Sequence, residues 1–256
     1  MSSTENKYRR YDLASGSREI TIADGDMVSI NLGAECAEGE RVVSVGRGAK
    51  VVLAEVCGEG SAKSALILRL AEGSQVDMTA VYLGEGGDVH HRVELAGADA
   101  EFEYRALYIV GGEERMNLAL DVRHEVADCR SSEIVKGIAA GTAKGRFSGM
   151  IYVAPDAQRT AAFQQSRNLL LNDRAEIKTE PQLEIYADDV KCSHGATVGM
   201  MDEDAIWYMR QRGLDEAAAR RLQMMGFAAD VTSHIADEEL RSELEVLIDR
   251  KLDSLN

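Results

Sequence analysis

From residue 18 to about 199, short apolar runs alternate with turns rich in Gly, Asp, Asn and Glu, and within the runs apolar positions recur every second residue. Phe102, Tyr104 and Ala106 alternate with Glu101, Glu103 and Arg105, and Met116, Leu118, Leu120 and Val122 repeat the pattern. A period of two puts every second side chain on one face, so each run reads as a strand with one buried side. The pattern predicts strands at 19–23, 27–32, 41–45, 50–56, 64–70, 75–83, 89–95, 101–109, 115–122, 130–135, 146–153, 168–171, 174–178, 182–187 and 189–194. No helical pattern interrupts them, which leaves a sandwich, a barrel or a solenoid. Short, even turn spacing, few Asn-Gly or Asp-Gly hairpin pairs and rows of Ile, Val, Leu and Ala favour stacked coils. The expected fold is a parallel β-helix, evenly balanced against a sandwich on periodicity alone.

After Gly199 the period changes. Residues 202–212, 215–225 and 237–255 read as helices; in the last, Leu240, Leu244, Leu247, Ile248, Lys251, Leu252 and Leu255 form one stripe. Asp215 and Asp237 are expected N-caps leading into acidic first turns, and Gly213 and Gly226 are expected helix ends. The expected organisation is an N-terminal segment (1–17), a β body (18–200) and a small C-terminal helical domain (201–256).

Charge and composition narrow the function. The 256 residues carry 29 Lys and Arg against 44 Asp and Glu, a net charge of −15. Such a balance argues against a nucleic-acid-binding surface or attachment to anionic lipid. No apolar stretch reaches spanning length and the first dozen residues lack a signal-peptide core, so a soluble cytoplasmic protein is expected. Only 5% of residues are aromatic and only two are proline. The core must therefore be built from small and β-branched side chains.

Cys36, Cys57, Cys129 and Cys192 are scattered singly with no Cys-x-x-Cys, which excludes a zinc ribbon and gives no sign of a disulfide scaffold. Cys36, Cys57 and Cys129 read as small core residues. The chemical stretch is KCSHGATVG, residues 191–199. Two residues along a strand, roughly 6.6–6.8 Å, Cys192 and His194 project from the same face. A thiolate beside an imidazole suits iron, zinc or an iron–sulfur cluster, or an activated thiol nucleophile; a buried Cys and a hydrogen-bonded His is the plainer reading. His90 and His91 point to opposite faces and are expected near a turn. His124 beside Glu125 is expected on the surface, as is His234 ahead of the last helix. GEGSAKS (58–64) imitates a phosphate loop, but Cys57 and Ala62 stand where a Walker A motif needs glycine, so ATP binding by a P-loop is excluded. No Ser-His-Asp arrangement or distinctive carboxylate pair emerges.

The segment NLLLNDRAEIKTEPQLEIYADDVKCSHGATVG, residues 168–199, closely resembles the signature of the SufB/SufD family, the scaffolds of SUF iron–sulfur cluster assembly. Residues 200–231 look like that family's helical tail, and 136–168 like its β-helix rungs. The resemblance implies a right-handed parallel β-helix whose last strands pair with a partner protomer. It also implies a helical tail that docks an ABC-type ATPase, SufC, which would supply all ATP hydrolysis. The chain would then be no enzyme itself. It assigns Cys192 and His194 as ligands of a transient iron–sulfur cluster. The motif is SufD-like at two positions: Ser166 stands where SufB has a cluster-linked Cys, and Gly195 where SufB has Glu after the His.

The chain is also shorter than a typical SufB or SufD and resembles the single-scaffold versions thought to act as homodimers. A two-fold axis would turn two ligands into the four that a cubane cluster takes. Heterodimerisation with a SufB scaffold is the alternative, in which His194 and Cys192 enter an asymmetric site. Two readings outside this family are a β-helix carbohydrate-active enzyme using paired carboxylates and an inert structural solenoid. The missing signal peptide, the few aromatics and the helical tail weigh against the carbohydrate enzyme.

Overall fold

A computed structural model describes residues 9–12, 18–32, 40–235 and 237–255. In chain order the strands are β1 (Arg9–Asp12), β2 (Glu19–Ile22), β3 (Met27–Leu32), β4 (Glu40–Val45) and β5 (Lys50–Cys57). Next come β6 (Ala62–Leu70), β7 (Gln75–Tyr82), β8 (Gly86–Leu95), β9 (Glu101–Val110) and β10 (Arg115–His124). The series ends with β11 (Arg130–Ala139), β12 (Lys144–Val153), β13 (Ala161–Leu170), β14 (Glu176–Ile185) and β15 (Lys191–Met200). Odd-numbered strands form one sheet and even-numbered strands the other, each in sequence order. Every strand pair among the described residues is parallel, so the chain winds as a two-sheet β-solenoid; a sandwich, which is antiparallel, is excluded.

The turns explain how the winding closes without hairpins. Gly25, Gly48 and Gly73 occupy one corner of successive coils with positive φ, and Asp99, Asp128 and Arg159 continue the series. Each donates its backbone N–H across to the next coil where that bond is present: Gly25 to Arg47, Gly48 to Glu72, Gly73 to Ala98. The left-handed conformation explains the glycines. Where Asp128 and Arg159 replace them, the two side chains form a double hydrogen bond, with both contacts at 2.5 Å.

Burial separates the two sheets. In β8, β10 and β12 buried and open positions alternate almost throughout, so one face packs inward and the other meets solvent. In β5, β7, β9 and β11 the alternation ends midway and the last five positions are all buried. Those positions are covered from outside by three helices, α1 (Glu203–Gln211), α2 (Glu216–Thr232) and α3 (Glu238–Asp253). Val56, Val81, Leu83, Leu107, Ile109 and Ile138 of the sheet share a cluster with Met224, Val231, Leu244, Ile248 and Leu252 of the helices.

Asp202, Asp215 and Asp237 cap the helices by accepting first-turn N–H groups. Two lysines fasten the tail. Lys136, almost wholly buried on β11, donates to the Phe227 carbonyl at 3.0 Å, pairs with Asp230 and lies 4.3 Å from the Phe227 ring centroid. Lys251 donates to both Glu114 oxygens at 2.8 and 2.7 Å and to the Gly84 carbonyl at 3.0 Å.

Several boundaries differ from expectation. α2 passes through Gly226 and ends at Thr232, because Ala228 and Val231 still have sheet surface to cover. Residues 161–167 are strand although no apolar alternation marks them: β13 turns Gln164, Ser166 and Asn168 inward and Phe163 outward, the reverse of the usual order. The predicted pieces 174–178 and 182–187 are one strand running through Pro181. β14 is a terminal strand, so one edge needs no N–H there.

Among the cysteines, Cys57 and Cys129 are fully buried, as expected of small core residues, and Cys129 and Cys192 are free thiols. Cys36 and most of the expected N-terminal segment lie outside the described residues. No described helix is long and apolar enough to cross a membrane.

Candidate functional site

Cys192 and His194 lie on β15, the last strand of the odd-numbered sheet. Register fixes where they point. Cys192 is opposite Ala162 and His194 opposite Gln164, and both of those β13 residues are buried in the interior. Side chains in register on parallel strands share a face. Cys192 and His194 therefore face the lumen at its open end, where no further coil covers them. Cys192 is half-buried and His194 exposed. Burial pushes the Cys192 thiol above its ordinary 9.0, the Ala162 backbone partly offsets this, and the nearby Glu133 adds to the rise.

The same open end exposes apolar side chains. Ile185, Tyr186, Val198 and Met200 are exposed on or just after the last two strands, and Phe163 is exposed on the outer face of β13 beside them. β14 and β15 each present an edge that no strand pairs with among the described residues. An exposed, apolar pair of edge strands is an association surface.

Below the open end the lumen turns polar. Glu133 on β11 is opposite Gln164 on β13, which is opposite His194 on β15. Glu133 and Gln164 are each 1% exposed. Burial raises the Glu133 carboxyl from 4.5 to about 8. Hydrogen bonding from Ser131 and Gln164 lowers it only in part. His124 is also buried, its Nε2 2.9 Å from Ser131 Oγ, and burial lowers its pKa to about 4. Its expected surface position was wrong: it closes β10 on the inward face.

Glu133 sets a sign for stability against pH. Its folded pKa lies above the unfolded one, so the folded state holds the extra proton between about 4.5 and 8. Stability from this group is lost as pH rises through that window, by at most about 1.4 kcal/mol per pH unit. Glu133→Gln is expected to flatten the fall in urea-unfolding free energy between pH 5 and 8. An unchanged slope would show that Glu133 ionises freely.

The two adjacent histidines lie inside β8, not at a turn. His90 faces solvent and His91 is buried. His91 Nε2 donates to Glu55 Oε2 at 2.8 Å, with the Tyr82 hydroxyl 3.3 Å away, and its Nδ1 lies 3.0 Å from the Tyr104 hydroxyl. Burial disfavours the Glu55 carboxylate, but His91, with smaller help from Ser64 and Arg41, outweighs it and holds Glu55 below 4.5. No period-two pattern marks this network, since Glu55 stands in a run whose neighbours are all apolar. His234 is exposed at the end of α2, as expected.

A two-sheet parallel solenoid with a helical flank and a thiol–imidazole pair on its open end defines a class of chain. A family model for the SufBD core domain of SUF system FeS cluster assembly matches residues 27–227. This chain belongs to the SufBD core family. It is 40% identical over 147 residues to the iron–sulfur cluster assembly protein SufD of Escherichia coli, covering 53% of this chain and 35% of that protein. It is 32% identical over 182 residues to an iron–sulfur cluster assembly SufBD family protein of Synechocystis, covering 68% of this chain and 39% of the relative. A SufBD family protein of Mycobacterium bovis is 32% identical over 179 residues, covering 66% of this chain and 45% of the relative. The chain thus spans less than half the length of these relatives.

Proposed function

We propose that this chain is a non-catalytic scaffold for iron–sulfur cluster assembly that builds its cargo between Cys192 and His194 and the matching surface of a second scaffold chain. The observation that carries the reading is the position of the pair: both side chains face the lumen on the terminal strand, at an uncovered end bordered by exposed apolar residues. Each chain offers one soft and one borderline donor, and a two-fold pairing doubles them to four. The same pairing covers the β14 and β15 edges. Pairing with a SufB chain is the second arrangement, favoured by Ser166 and Gly195 at positions where SufB contributes ligands.

The ATPase is an ABC-type, SufC-like subunit, and its surface is the outer side of the tail. Trp207, Tyr208 and Leu222 are each more than half exposed there. Nucleotide-driven pairing of two ATPases would shift the scaffold seam between two arrangements. Removing the whole tail is a poor test, since it strips the cover from Val81, Leu107, Ile109 and Ile138. Trp207→Ala with Leu222→Ala is expected to weaken ATPase binding at least tenfold, measured by calorimetry, without lowering the melting temperature. Unchanged affinity would remove the ATPase from this face.

The test of the whole reading is anaerobic reconstitution of the chain with its ATPase, iron and a sulfide source. Iron–sulfur absorbance from this scaffold alone supports the homodimer. Absorbance that requires an added SufB protein supports the heterodimer. No cluster under either condition overturns both.

A further inference from the structure

β15 carries Cys192 and His194 but has little burial of its own to hold it in place. Apart from Cys192 every residue of the strand is exposed, and no strand lies beyond it among the described residues. It also contains Gly195 and Gly199. Register is weakly specified in glycine-rich strands that lack a buried row, and a slip of one residue turns every side chain to the opposite face. Here such a slip would take Cys192 and His194 out of the lumen and turn Ser193 inward.

A chain of buried side chains reaches this strand from deeper coils. Tyr108 on β9, Gly137 on β11, Asn168 on β13 and Val198 on β15 stand in one register column. Tyr108 and Asn168 are two strand spacings apart, roughly 9–10 Å between backbones. The Tyr108 hydroxyl nevertheless donates to Asn168 Oδ1 at 3.1 Å, passing over Gly137, and both residues are buried. A Cβ at Gly137 would lie 2.4 Å from that hydroxyl and 2.6 Å from Asn168 Oδ1. One at Gly145, on the opposite sheet, would lie 2.8 Å from the tyrosine ring. Both glycines lie inside strands, so room for the tyrosine, not a turn, requires them. With its oxygen fixed in this way, Asn168 turns its amide nitrogen to β15. Nδ2 donates to the Thr197 carbonyl at 3.1 Å and to Ser166 Oγ at 3.0 Å. We propose that Asn168 is a positioning residue that pins β15 in the register turning Cys192 and His194 into the lumen. The consequence for cluster assembly rests on reading that pair as the ligands; the pinning itself does not.

The experiment follows iodoacetamide labelling of each cysteine by peptide mass spectrometry, with hydrogen exchange of residues 191–199, on the full chain in native buffer. Asn168→Leu is expected to speed both Cys192 labelling and β15 exchange by about fivefold or more, while the buried Cys129 labels as in the wild type. A general loss of stability would move both thiols, so their ratio separates pinning from packing. Tyr108→Phe keeps the ring and frees the amide; it is expected to act in the same direction more weakly, and it carries the test if Asn168→Leu does not fold. Ser166→Ala leaves the Thr197 bond in place and is expected to change nothing at Cys192. Wild-type Cys192 labelling in the folded Asn168 or Tyr108 variant, or an equal rise from Ser166→Ala, overturns the pin. Cluster content judges the link to assembly separately. A loss of about tenfold in iron and sulfide in the Asn168 variant supports the link. Wild-type content in a variant whose Cys192 is freed overturns the link and leaves the pin standing.

Discussion

Cys192→Ala and His194→Ala are each expected to cut the iron and acid-labile sulfide held by the reconstituted complex at least tenfold, with almost no change in stability. Burial gives the second half of that result. Cys192 is half-buried and His194 exposed, on a strand whose other residues are nearly all open. Exposed substitutions away from special features usually change stability by less than about 0.5 kcal/mol. Strand geometry gives the first half and supplies its own control. Ser193 lies between the two and points to the opposite face, in register with the exposed Phe163. Ser193→Ala should leave iron and sulfide content unchanged. Thermal unfolding alongside iron and sulfide assays checks all three variants. Equal cluster yield from Cys192→Ala, His194→Ala and wild type would reduce the pair to packing.

The largest stability effect is expected at Glu55 and His91. The pair is sealed in the core, with His91 1% and Glu55 4% exposed. Removing one partner leaves the other buried without compensation, which costs about 3–5 kcal/mol. Glu55→Leu and His91→Leu should each show that loss in urea unfolding, while the double variant, with an apolar pair, should cost much less. Additive losses would mean that the two groups do not act together.

The pH dependence separates the cases further. In the wild type Glu55 is held below 4.5, so its stabilisation is complete above the unfolded pKa and is lost as pH falls through the folded value. In His91→Leu the imidazole's pull is gone and burial, the largest influence, is opposed only by Ser64 and Arg41, so the folded pKa is expected to rise above 4.5. Stability from Glu55 is then lost as pH rises. The contribution changes sign, and unfolding curves at pH 4, 6 and 8 read it directly.

The misreadings share one physical origin. His124 and His91 were expected at the surface or a turn because a polar residue in an alternating strand is normally outward. Here they face inward with partners from other coils: Ser131 for His124, and Glu55 and Tyr104 for His91. The pairing residues are 7 to 36 positions away. The strand at 161–167 was missed for the same reason, since its inward positions are Gln164, Ser166 and Asn168. Alternation reports burial through hydrophobicity and fails where the interior is polar.

By itself the sequence determined the strands with apolar inward rows, the change to helices after Met200, the capping aspartates and the Cys192–His194 pair, because each depends on neighbours a few residues apart. The expected parallel stacking is what the structure shows, but only tertiary structure decided it against the sandwich that the period leaves equally open. Only it decided that the helices cover one end of one sheet and that the pair sits at an open mouth above Glu133 and Gln164. Those facts depend on which coil lies next to which. That order is set by burial and register across 20 to 30 or so residues, a separation at which the linear pattern carries no phase.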